Sequence, residues 1–174
     1  MAIGEQVQMR VGQSWMHDEF LNISAETEIL IGEISGPVGK SFAQLFGSQL
    51  DGQYCVLAKL NKKIQVRPNT LVINKADIDD QRHQELFRTV IQTAVAHGVL
   101  DCVRNSEIPK KKANDLVIIA NIWLDPEVCE REGLDEKQIF TLYRDNAAKA
   151  VHKALCYEPS VDWLLEKQDN LLHQ

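Results

Sequence analysis

Two pairs of charged residues share a spacing that can do chemistry. Glu26 and Glu28 are two positions apart where a β-branched apolar run begins, and Lys75 and Asp77 repeat that interval at the end of another run. On a strand, residues two apart point to the same side of the sheet. Carboxylates held close raise one another's pKa, and a carboxylic acid poised near neutrality can donate a proton to a departing group. The plainer reading of Glu26 and Glu28 is a solvated strand end. Lys75 and Asp77 either pair with each other or face a ligand. Gln92 sits among apolar neighbours, as a buried amide in need of partners or as the edge of an apolar stripe.

Other constellations carry less. Gly36-Pro37-Val38-Gly39-Lys40-Ser41 lacks the four-residue spacer that a phosphate loop needs between its glycines. His83 and His97 would share a helix face, but almost four turns separate them, too far to grip one metal, and they read as surface residues. Lys110, Lys111 and Lys112 read as a solvated patch. Cys55, Cys102, Cys129 and Cys156 show no C-x-x-C and no nearby histidine pair. They are expected to be reduced, buried or half-buried thiols, with neither a disulfide framework nor a metal.

The elements that must hold these side chains follow from pattern. Residues 26–34 predict a strand that Gly36-Pro37 breaks, and Pro37 then opens a short helix carrying Phe42, Leu45, Phe46 and Leu50. Residues 54–60 and 70–78 predict two more strands. Asp79-Asp80 offers the N-cap of a long helix with Leu86, Phe87, Val90, Ile91, Ala94, Val95, Val99 and Leu100 on its apolar face. Residues 115–125 form the most apolar segment and are expected at the centre of the sheet. A final helix begins near Glu136, carries Ile139, Phe140, Tyr143, Ala147, Val151 and Leu155, and stops at Pro159. The order predicts an α+β domain: a mixed sheet of about four strands with helices on one face. Residues 1–24 receive no strand, and residues 159–174 read as an appended amphipathic helix that docks on the domain or on a neighbouring subunit.

With 174 residues, this is one domain, or one domain with an appendage. The net charge of −6 argues against a nucleic-acid binder, which needs surplus Lys and Arg. No run approaches the roughly 20 apolar residues of a membrane span. The polar first ten residues lack the apolar core of a secretory signal, so a cytoplasmic location is expected.

Several stretches together resemble the formaldehyde-activating enzyme family. They are Pro68-Asn69-Thr70-Leu71 with Asn74-Lys75, then Asp115-Leu116-Val117-Ile118-Ile119, and Tyr143 followed by Ala147-Ala148-Lys149. The register holds from residue 25 to about 126 and extends more loosely to 155, about three quarters of the chain. The resemblance implies condensation of formaldehyde with tetrahydromethanopterin, as cosubstrate, to the methylene pterin and water, without a metal. It also implies a fold of the ribosomal protein S5 domain 2 type over residues 25–158, preceded by a divergent segment, and a homopentamer with the pterin between subunits. Positions matching the family's pterin contacts are Glu28, Leu57, Lys75, Asp77 and Gln92. Leu57, Lys75 and Gln92 keep the family residue, Glu28 replaces an aspartate and Asp77 a threonine. Glu26 stands where the family's catalytic acid is a histidine. His17, in the divergent segment, is a second candidate acid if the chain folds back. Two readings follow: an enzyme with Glu26 as altered acid, or a silent paralogue that binds a reduced pterin or formaldehyde as carrier or sensor.

Overall fold

Along β2 (Ile23–Glu33) the alternate residues Ile23, Ala25, Thr27, Ile29 and Ile31 are buried, and this period of two defines the main packed face of a sheet. The computed structural model describes residues 1–2, 4–48, 54–76, 80–131 and 133–171. Preceding β2 is β1 (Arg10–Asp18), and α1 (Pro37–Gly47) follows it. Next come the short strands β3 (Cys55–Leu57), β4 (Lys59–Asn61) and β5 (Ile64–Gln65), then β6 (Asn69–Asn74). After them run α2 (Gln81–Leu86), a π-helical turn at Phe87–Ile91, α3 (Gln92–Arg104), β7 (Leu116–Leu124) and α4 (Glu127–Glu130). The chain closes with α5 (Glu136–Cys156) and α6 (Val161–Leu171).

The sheet has five strands in the order β1-β2-β7-β6-β3, and β4 and β5 form a separate two-stranded ribbon. Pairing is antiparallel except between β6 and β7, which run parallel. The most apolar strand, β7, is central, as its composition predicts: Leu116, Ile118, Ala120, Ile122 and Leu124 face the main core and Val117 and Ile119 the other side. Helices α3 and α5 cover the main face. Asp80 accepts hydrogen bonds from the N–H groups of Arg82 and His83, so the helix start read from Asp79-Asp80 is capped by Asp80, Asp79 lying outside the described residues.

Four expectations change. The sheet has five strands, not about four, because residues 10–18 form an edge strand paired with β2 along its whole length. Helices lie on both faces, not one: α1 folds back over the second face, where Val38 packs with Ile73, Val117 and Ile119. Lys112 is buried, not solvated, and pairs with Glu33 at 2.9 Å while donating to the Glu5 carbonyl, which fastens the N-terminal segment to the domain. His83 and His97 are half-buried rather than on the surface; His97 packs edge-on against the Phe140 ring.

The appended helix forms, but Val161, Trp163, Leu164 and Leu165 remain exposed, so α6 does not dock on its own domain through them. No helix among the described residues is long and apolar enough to cross a membrane.

Candidate functional site

Because α1 covers only part of the second face, the end of that face formed by the start of β2 and the end of β7 stays open. Register fixes what it presents. Trp15 of β1 lies opposite Glu26, which lies opposite Trp123 of β7, and Gln13, Glu28 and Asn121 form the next row. Lys75, one residue beyond β6, is held in place by its own N–H, which donates to the Ile122 carbonyl at 2.8 Å. Its ammonium then lies 3.1 Å from Glu26 Oε2 and 2.8 Å from Glu28 Oε1. Gln13 Nε2 donates to the remaining Glu26 oxygen at 2.5 Å.

Glu26, Glu28 and Lys75 do share one side of the sheet, but the two carboxylates do not meet without compensation: a lysine bridges them. Burial pushes the Glu26 carboxyl upward, yet the hydrogen bonds from Gln13 and Lys75, with the Lys75 charge, outweigh it and leave the group below the ordinary carboxylate value. Lys75 is raised, chiefly by its hydrogen bond to Glu28 and then by that to Glu26, against the opposing effect of burial. At neutral pH the triad is a carboxylate, an ammonium and a carboxylate, half-open to solvent and flanked by two indoles. Such a surface offers hydrogen-bond acceptors for N–H groups, flat apolar area for a fused ring, and a base.

The other expected residues are placed as follows. Leu57 lies at the far edge of the sheet, paired with Leu71, and is half-buried. Asp77 falls outside the described residues. Gln92 belongs to the opposite, helix-covered face, where its Oε1 accepts from the Lys59 N–H at 2.7 Å and its Nε2 donates to Thr93 Oγ1 at 2.7 Å. It is the buried amide with partners, and within one subunit it holds the β4 ribbon. The structure therefore unites Glu26, Glu28 and Lys75, sets Leu57 at the margin of the same face, and leaves Gln92 behind the sheet. His17 does lie on the open face, two residues beyond Trp15 and stacked on its ring at 6.1 Å, with Nδ1 3.1 Å from Ser24 Oγ.

Gln13, Trp15, Asn121 and Trp123 join the site without having been singled out from sequence. For Asn121 and Trp123 a signal existed: polar or aromatic residues that interrupt the outward side of a central apolar strand. Gln13 and Trp15 carry no such signal, since the inward residues of their strand, Arg10, Gly12 and Ser14, are not apolar.

Comparison with known proteins gives the family. The family profile described as "Formaldehyde-activating enzyme (Fae)" matches residues 11–174, β1 included. The "Bifunctional enzyme Fae/Hps" of Methanococcoides burtonii is 31% identical over 150 residues, covering 86% of this chain and 36% of that protein. The corresponding bifunctional enzyme of Archaeoglobus fulgidus is 26% identical over 168 residues, covering 96% and 41%. A "5,6,7,8-tetrahydromethanopterin hydro-lyase" of Methanosarcina barkeri is 28% identical over 149 residues, covering 86% and 81%. The chain spans only about a third of the length of the Methanococcoides enzyme. A match that begins at the edge strand and runs through the last helix takes in every element of this sheet, and the chain belongs to the formaldehyde-activating enzyme family.

Proposed function

We propose that this chain condenses formaldehyde with tetrahydromethanopterin to give the methylene pterin and water, on the open sheet face around Glu26. The observation that carries the reading, beyond family membership, is the Glu26–Lys75–Glu28 triad between Trp15 and Trp123. In the reaction an amine nitrogen adds to the carbonyl carbon, the carbinolamine hydroxyl leaves as water, and the second amine closes the bridge. An ionised Glu26 suits the first half as a base that takes the first N–H proton and passes it to the carbonyl oxygen, giving the hydroxyl. The second proton that this hydroxyl needs to leave as water is balanced by the one the second amine loses on closing the bridge. Lys75 keeps the carboxylate in its starting form. Glu28, Leu57, Asp77 and, from a neighbouring subunit, Gln92 line the pterin site in this proposal, and no metal takes part. A homopentamer of subunits with the ribosomal protein S5 domain 2 type of fold, acting in the cytoplasm, completes it.

One observation favours a second reading. Where the resemblance has an acid histidine, this chain holds a carboxyl below its ordinary pKa, which suits a paralogue that binds reduced pterin or formaldehyde without turnover. Methylene-pterin formation from tetrahydromethanopterin and formaldehyde, measured against the spontaneous rate, separates the two. The enzyme reading expects clear acceleration that falls by about a hundredfold in Glu26→Gln. The paralogue reading expects no acceleration at saturating pterin, together with pterin binding that Lys75→Ala weakens.

A further inference from the structure

The last turn of α5 carries His152 and Cys156 four residues apart, on one side of the helix. Tyr157 then adopts the left-handed conformation, φ 56°, and the N–H of Glu158 returns to the Lys153 carbonyl at 2.9 Å, which folds the Glu158 carboxylate back beside the helix. Arg10, whose guanidinium sits 4.5 Å from the Tyr157 ring centre, holds this turn against the domain. One ligand atom each from His152, Cys156 and Glu158 lies within 4.8 Å of the others, the only such group of three among the described residues. The turn after α3 adds a carboxylate behind the imidazole: Glu107 Oε2 lies 2.9 Å from His152 Nδ1.

We propose that His152, Cys156 and Glu158 bind a divalent cation of the zinc type, with Glu107 orienting the imidazole. Bonds of about 2.0–2.3 Å around a tetrahedral ion place donor atoms roughly 3–4 Å apart. The separation of Glu158 Oε1 from His152 Nε2, 3.7 Å, already fits, while Cys156 Sγ, now 3.9 Å from Nδ1 of the same ring, turns toward Nε2 on binding. With Nδ1–H donated to Glu107, Nε2 turns its lone pair toward Glu158, the carboxylate–histidine–metal arrangement that fixes tautomer and ring direction. Thiolate, imidazole and carboxylate together select a borderline ion such as zinc over the hard oxygen-seeking cations. Binding releases one proton as the Cys156 S–H bond gives way to a sulfur–metal bond. Cys156 and Glu158 are exposed, so the remaining coordination position belongs to water and the ion exchanges readily. The ion ties Glu158, the residue before Pro159, to the last turn of α5, and so fixes the direction in which α6 leaves the domain. This site is independent of the pterin reaction.

Cobalt(II) titration of the chelator-treated full chain tests it. A near-ultraviolet thiolate-to-cobalt charge-transfer band is expected to saturate at one equivalent, to be displaced by zinc, and to vanish in Cys156→Ser. Glu107→Gln retains the band but binds about ten- to a hundredfold more weakly. Zinc also slows alkylation of Cys156 by iodoacetamide in the unaltered protein, read by peptide mapping. Absence of the band, its survival in Cys156→Ser, or full affinity in His152→Ala overturns the proposal.

Discussion

Lys75 makes two ion pairs from a position that the sheet itself fixes, and its removal reverses the pH behaviour of Glu26. The folded-state pKa of Glu26 lies below the unfolded one, so its contribution to stability is present above the ordinary carboxylate pKa and is lost as pH falls through the folded value. Lys75 is shifted upward, so its contribution is present below the ordinary lysine pKa and is lost as pH rises through the folded value. In Lys75→Met the hydrogen bond and charge of Lys75 are gone; burial, the largest influence on Glu26, then outweighs the remaining Gln13 hydrogen bond, and Glu26 favours folding when protonated. Urea midpoints of the two proteins are therefore expected to differ most near about pH 7 and to converge toward about pH 4. A gap that widens on acidification contradicts this account. The side on which Glu26, Glu28 and Lys75 would lie was legible from their two-residue spacing. Their protonation was not, because it depends on Gln13 and on a strand pairing that brings Lys75 between two residues far from it in sequence.

Among the elements, β2, β6, β7 and the long helices could be read because their inward positions are apolar and their caps are conventional. Strand β1 could not, since its inward residues are Arg10, Gly12 and Ser14 while Val11 and Trp15 face outward. The inversion has a steric cause. A Cβ on Gly12 would lie 2.3 Å from the Ala150 carbonyl oxygen and 2.4 Å from the Ala154 nitrogen, so α5 presses its backbone against the strand and only small side chains fit there. Gly12→Ala is expected to cost about 3 kcal/mol of stability in urea denaturation, since the obstructing atoms are backbone. Along the same interface Thr27 is fully buried, and its hydroxyl has no hydrogen-bond partner among the described residues. Thr27→Val keeps the shape and removes the unsatisfied group, so it is expected to stabilise by about 1 kcal/mol, read as a higher melting temperature. The N-terminal polar residues escaped the sequence reading for a related reason: Lys112 reaches the Glu5 carbonyl across the fold, a contact no local pattern announces.

For the molecule as a whole, the rim of the open half-face is apolar, with Trp15 59% and Val11 62% exposed on an edge strand, and the proposed homopentamer would bury it. The proposed homopentamer predicts a five-subunit mass by sedimentation, and Trp15→Asp is expected to yield smaller species with unchanged far-ultraviolet circular dichroism. Loss of the folded signal in that variant would instead assign Trp15 to the subunit's own stability. Sheet order has a further consequence, for the birth of the protein. The strand that joins the β1–β2 pair to the β6–β3 pair is β7, the last of all to be synthesised. On the ribosome, the two halves of the sheet emerge with their inner edges unpaired and wait for Leu116 to Leu124 to slot between them. Folding is consequently a late, long-range event and slow for a chain of this size. A nascent chain arrested before residue 116 presents two bare strand edges, and these are natural points of grip for a chaperone.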